Sequence, residues 1–246
     1  MLADNFKHAN KISGGIRTSM NAYPFLVTIR LRSEYLCSGS IINPLHIVST
    51  ASCVTSNKNI IYGNLQILSA TDKQNYQQDH GNINDVSIVV IHPDYSPNNF
   101  WANDIGILKL TKSLPSNQVD GYITLPVSST VYNTFSHLVL IGWEKFDESD
   151  SLQLSKLDVQ LMLLKPCRKY FEQYGNLNNA QRCITSPLKT HRNIDYGDSG
   201  SPVVTSQQQN ILGMVSLISP NPDHPVIITQ ILRHYTGWII NMLEKY

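Results

Sequence analysis

The sequence predicts an all-β protein, an antiparallel barrel or sandwich, on three observations. Short runs rich in β-branched residues recur along the 246-residue chain. Pro, Asn, Gly and Ser stand between the runs, and only the C-terminal tail carries helical spacing. Alternating βαβ units would need helical periods between the strands, and none is evident.

The runs, in order, are "PFLVTIRL" (24–31), "LQILSA" (65–70), "VSIVVIHP" (86–93), "IGILKL" (105–110), "HLVLIGW" (137–143), "LDVQLMLL" (157–164), "ILGMVSLI" (211–218) and "PVIITQIL" (225–232). Each has strand length and is rich in Val, Ile or Leu, the side chains that pack well on a pleated surface. The tail "YTGWIINMLEKY" differs: Trp238, Ile239, Met242 and Leu243 fall on one helical face, so a C-terminal helix is expected. There is no internal repeat and no low-complexity segment. The length fits one large domain or two packed subdomains, with the weakest place for a joint at 115–129.

Formal net charge is +1 and the Lys and Arg residues are scattered, so no basic stripe exists to track phosphates and no nucleic-acid partner is expected. No apolar run approaches the roughly 20 residues that span a bilayer, so no membrane segment is expected. The opening "MLADNFKHANK" lacks the apolar core of a secretory signal, leaving a cytosolic chain or one whose signal has been replaced. The cysteines favour secretion. Cys37 with Cys53 and Cys167 with Cys183 form two sequence-local pairs without metal-ligand spacing, and two disulfides are the simpler reading. No metal and no cofactor is expected, and the absence of any N-x-S/T triplet argues against N-glycosylation.

Four segments carry the chemistry: "KISGG" (11–15), "CSGSIINPLHIVSTASCV" (37–54), "NDIGILKL" (103–110) and "GDSGSP" (197–202). Each alone has a bland explanation, a glycine turn or a capping aspartate. Their order and spacing together resemble the trypsin-like serine protease family from about Lys11 to Tyr246. The resemblance implies two six-stranded antiparallel β-barrels with a cleft between them and, by position, the segment 1–11 as propeptide-like or expression-derived, followed by a protease domain over 12–246.

By motif, Ser199 matches the family's nucleophile and Asp104 its triad aspartate. The family's histidine directly precedes the second cysteine of the first loop; here that residue is Ser52. A serine hydroxyl near neutral pH cannot take the proton of another serine, and an unactivated serine is a poor nucleophile. Loss of the triad histidine alone costs subtilisin about 2 × 10⁶ in turnover. His46 and His92 lie nearest the motifs but not at the matching position, and structural roles are expected for both.

The implied pocket is altered as well. Asn193 stands where trypsin-like enzymes carry the aspartate that binds Lys or Arg, and Ile218 and Val226 replace two glycines that leave the pocket open. Asp195 takes the place of a bracing cysteine, and Ser201 replaces the second glycine of "GDSGG". Gly197 and Ser199 would be the remnant of the oxyanion hole. Ile12 and Asp198 match the family's activation pair, in which cleavage frees an amine that inserts beside the aspartate. In the uncut chain, Asp198 is expected to find another donor and Ile12 to stay in a linker, giving a zymogen-like site.

The lost histidine and filled pocket on a retained frame are similar to the scabies mite inactivated serine protease paralogues, relatives of the group 3 mite allergens. That resemblance implies a secreted, catalytically inactive homologue found in mite gut and faeces. It also implies host proteins as partners, complement components among them, and a monomer is expected. Two other readings stay open: a residual hydrolase in which Ser199 borrows a base from its substrate, and a decoy for protease inhibitors or substrates. The filled pocket counts against both. Tyr35, Trp101, Tyr132 and Tyr170 fall in expected loops, and none is assigned a binding role.

Overall fold

The computed structural model describes residues 12, 14–56, 59–60, 63–71, 73–74, 81–115, 121–126, 136–144, 152–186, 194, 196–205, 210–219, 221, 223–231 and 234–246. Twelve strands build two closed barrels. The first comprises β1 (Leu26–Leu31), β2 (Glu34–Asn43), β3 (His46–Ser49), β4 (Leu65–Ser69), β5 (Asn82–Ile91) and β6 (Gly106–Leu110), closed in the order β6-β3-β2-β1-β4-β5. The second comprises β7 (Leu138–Glu144), β8 (Leu152–Leu161), β9 (Gln181–Thr185), β10 (Pro202–Thr205), β11 (Ile211–Leu217) and β12 (Val226–Gln230).

Its order is β12-β9-β8-β7-β10-β11, and the pairing of β11 with β12 closes it. Shifting every number of the first barrel by six reproduces the second. This repeat of topology leaves no trace in the sequence, because each barrel needs only apolar side chains of strand length inside and polar ones outside, not the same residues. All the barrel pairings are antiparallel, and closure leaves neither barrel a free sheet edge. The all-β, two-barrel expectation and the C-terminal helix hold.

Local chemistry explains the tight connections. β1 and β2 join through Arg32 (φ 53°) and Ser33 (φ 68°), with Leu31 opposite Glu34; two central residues at positive φ match the right-handed twist of a hairpin. β2 and β3 join at Pro44 and Leu45, where Asn43 Oδ1 accepts from the Leu45 amide at 2.9 Å. Side-chain capping of this kind is why asparagine favours turns.

Two helices are described. α2 (Thr236–Lys245) buries Ile239 and packs Trp238, Met242 and Leu243 against an apolar core to which both barrels contribute, and Trp238 meets His92 of the first half at 5.1 Å between ring centroids. α1 (Leu164–Phe171) was not expected from the sequence. Pro166 lies in its first turn, where a proline is tolerated, and no side chain caps its start, so the usual entry signal is missing. Cys167 and Phe171 face inward on Leu177, Cys183 and Ile227.

The cysteines pair as read: Cys37–Cys53 with Cα atoms 6.0 Å apart and Cys167–Cys183 at 5.6 Å. Between the barrels, residues 121–126 touch both, since the Ile123 amide donates to Ile41 and the Ile211 amide donates to Thr124. Residues 116–120 and 127–129 of the expected joint lie outside the described residues, as does the 1–11 segment. Among the described residues no helix is long and apolar enough to cross a membrane.

Candidate functional site

The pairing of β3 with β6 sets Ser49 opposite Gly106, and the chain leaving each strand end brings Ser52 to Asp104. Ser52 opens a short 3-10 turn, Ser52–Val54, and turns both of its polar groups onto one carboxylate. Its amide donates to Asp104 Oδ1 at 2.7 Å and its hydroxyl to Oδ2 at 2.8 Å. Ser216, on β11, donates to Oδ2 at 2.5 Å. Asp104 is wholly buried. Burial pushes its carboxyl pKa up, opposed by the Ser216 hydroxyl, the amide and hydroxyl of Ser52, and the Ala51 amide.

Ser216 escaped the sequence reading. Its only signal was a polar residue within the apolar run 211–218, and the register that aims it at Asp104 is a tertiary property. The same carboxylate raises Tyr95 and Tyr235 further, after burial, which is the larger cause for each. The Tyr235 hydroxyl donates to Asn103 Oδ1 at 2.9 Å, tying the start of α2 to the loop that carries Asp104.

Ser199 follows the 3-10 turn Tyr196–Asp198 and is partly exposed. Its carbonyl accepts from the Ser38 amide at 3.0 Å. Gly200 must be glycine: its φ is +77°, and a Cβ there would collide with the Ser38 carbonyl and lie 2.6 Å from Ser49 Oγ. The Tyr35 hydroxyl donates to the Gly197 carbonyl at 2.7 Å, so Tyr35 belongs to the wall of this loop.

Ile218 and Val226 are buried together with Ile194, Val215 and Ile228 in the apolar interior of the second barrel. Asn193 and Asp195 lie outside the described residues. Ser201 is fully buried, and its hydroxyl has no hydrogen-bond partner among the described residues.

The zymogen-like expectation is overturned. Ile12 is 1 % exposed, packs in the second-barrel core, and its nitrogen donates to Asp198 Oδ1 at 3.3 Å. The apolar side chain drives the insertion, because the cavity it fills abuts Gly142, where a Cβ would sit 2.7 Å from Ile12 Cδ1. Glu144 holds the following segment, accepting from the Gly14 amide at 2.8 Å.

Neither nearby histidine is placed as a base. His46 Nδ1 meets Asn43 Oδ1 at 2.9 Å within the β2–β3 turn, and burial followed by the Lys109 cation lowers its pKa. His92 packs between Tyr235 and Trp238 and accepts from the Asp94 amide; burial lowers it too, against the opposing pull of Asp94. Among the described residues no group of three or more His, Cys, Asp or Glu side chains could hold a metal ion.

The double barrel, the Ser199 loop between Asp198 and Gly200, and a buried aspartate define a chymotrypsin-like serine protease frame. The sequence profile of the trypsin family matches residues 12–239, and the chain belongs to that family. It is 27 % identical to a trypsin of Squalus acanthias over 94 % of this chain and 95 % of the relative. Cathepsin G of Mus musculus is 25 % identical over 97 % of this chain and 87 % of its own, and a venom serine protease of Polistes dominula is 26 % identical over 84 % and 76 %.

Proposed function

We propose that this chain is a secreted pseudoprotease, an inactive member of its family that works by binding other proteins. The observation that carries the reading is Ser52. At the position of the family's base stands a hydroxyl committed as a donor to Asp104 at 2.8 Å, and it can neither take the Ser199 proton nor hold it as a cation. The burial of Ile218 and Val226 supports the same reading, since a substrate side chain would have to displace them. Two disulfides fit an oxidising, extracellular compartment.

The likeness to the scabies mite inactivated paralogues supplies the partner class: host proteins, with complement components the target and inhibition of the cascade the outcome. A frame that keeps its fold while losing its chemistry acts through its surface. The test is a complement haemolysis assay with purified protein, followed by pull-down of early cascade components. The reading expects inhibition; no effect at micromolar concentration rejects it and leaves the pseudoprotease assignment standing.

One observation favours a second reading. The contact of Ile12 with Asp198 is the arrangement by which the family orders its oxyanion donors, and Ser199 with Gly197 would then serve a hydrolase whose substrate brings its own base. A stoichiometric phosphonate adduct on Ser199 would favour it.

A further inference from the structure

The outward face of α1 combines three features that the protease frame does not use. Lys165, Arg168 and Lys169 line a groove of about 720 Å³ with Glu172, Asn176 and Leu177, so three cations face one anion in a protein whose net charge is only +1. Spacings of three and four residues put these cations on one side of the helix. Among the described residues none of them is in an ion pair.

The neighbouring guanidiniums are held by neutral groups. Arg168 Nη2 donates to Asn179 Oδ1 at 2.9 Å, and Arg182 Nη1 donates to the Asn179 carbonyl at 3.1 Å. One asparagine thus fixes two cations side by side with no carboxylate between them. Their repulsion adds to partial burial in lowering Arg182.

An aromatic cluster lies on the adjoining flank of the helix, which Tyr170 enters next to Lys169 in the chain. Tyr170 and Tyr174, 41 % and 59 % exposed, pack on the His224 ring at 5.7 and 5.9 Å between centroids. Phe171 backs that ring at 5.6 Å, and His224 Nδ1 is tethered to Ser219 Oγ at 2.9 Å. With Leu163, this small region holds three of the six large hydrophobic side chains exposed among the described residues. Exposed apolar side chains scattered singly need no explanation, but ordered aromatics next to cations that have no ion-pair partner among the described residues match the composition of protein-binding anchors.

We propose that the cation-lined groove of α1, Lys165, Arg168 and Lys169, together with the flank that carries Tyr170 and Tyr174, docks an acidic, aromatic-bearing segment of a partner protein that runs across both. Charge complementarity selects the occupant: carboxylates meet the cations while an apolar side chain meets the tyrosines. The inference rests on the binding role proposed above, and names the surface that performs it.

The experiment uses the full chain and an immobilised glutamate–tyrosine copolymer as probe, with heparin and phosphatidylserine vesicles as alternative ligands. The variant K165E/R168E/K169E is compared with R32E/K112E/K245E, which changes net charge equally at exposed sites elsewhere. At low salt the first triple should weaken copolymer binding at least about tenfold and the second by less than about threefold, and Y170A/Y174A should lower the preference for the copolymer over polyglutamate. Equal weakening by the two triples, or preferred binding of heparin or vesicles, overturns the proposal. If the first triple loses the copolymer yet inhibits haemolysis as wild type does, this surface is rejected as the complement-facing one. A wild type that binds the copolymer but spares haemolysis rejects the complement reading and leaves the surface.

Discussion

Ser52 and Asp104 form a closed pair: the amide and hydroxyl of one residue engage the two carboxylate oxygens of the other at 2.7 and 2.8 Å. A buried carboxylate without donors would be costly, and Ser52 with Ser216 offsets that cost. Ser52 and Ser216 thus supply donors to both oxygens of the buried aspartate. On the proposed reading, the variant Ser52→His should show no turnover of peptide substrates, because Ile218 and Val226, buried in the second-barrel core, would have to move to admit a substrate side chain. The check is kcat/KM on a panel of peptides with basic, aromatic and small side chains; measurable turnover would show that the pocket opens.

Asp104 should leave a mark on stability. Burial raises its folded-state pKa, so the folded chain binds more protons than the unfolded one. Its contribution is then fullest below the unfolded carboxylate value of about 4 and is lost as pH rises through the folded value. Asp104→Asn should flatten this slope, since the Ser52 and Ser216 hydroxyls can turn to accept from an amide. Denaturant unfolding of both proteins between pH 4 and pH 7 should show wild-type stability falling relative to the variant as pH rises. Parallel profiles would contradict the burial argument.

The pocket itself can be read as core. Ile218 is 4 % exposed among the side chains of the second barrel. Ile218→Ala should cost about 2–5 kcal/mol, the range for a truncated core isoleucine. A residue lining an open, solvated pocket would cost far less, so a loss below about 1 kcal/mol would mean the pocket is not filled.

Insertion of the Ile12 segment predicts that a side chain at Gly142 forces the end of the Ile12 side chain to shift and loosens its seat. Gly142→Ala places a Cβ 2.7 Å from Ile12 Cδ1 and 3.4 Å from Asp198 Oδ1. Hydrogen exchange at the amides of residues 12–15 should rise at least about tenfold in the variant, the mark of a locally opened segment. Unchanged protection would place Ile12 elsewhere.

Each disulfide closes a loop with a sequence separation of 16. Replacing Cys167 and Cys183 together by Ala should cost roughly 3 kcal/mol on the chain-entropy account. It should also loosen α1, which packs on that bridge. Chemical denaturation and the helical circular-dichroism signal check both effects.

The fold was legible because apolar runs of strand length, broken by turn residues, are what a barrel requires of its sequence. The four motifs then fixed which barrel. Order alone singled out Ser52, Asp104 and Ser199, and the structure pairs the first two. Two features could not be singled out this way. The Ile12 contact joins residues 186 positions apart, and whether the segment inserts depends on a cavity beside Gly142 that no local pattern reveals. α1 was hidden because it follows an apolar run without a cap and carries Pro166 in its first turn, so its basic and aromatic face came into view only once the helix was in place.

The central claim is that Ser199 sits in a site without a base. The most direct measurement is intact-mass analysis of the purified protein after incubation with a reactive phosphonate, paired with hydrolysis of generic peptides. The account predicts no adduct on Ser199 and no cleavage above buffer. A stoichiometric adduct together with peptide turnover would contradict it.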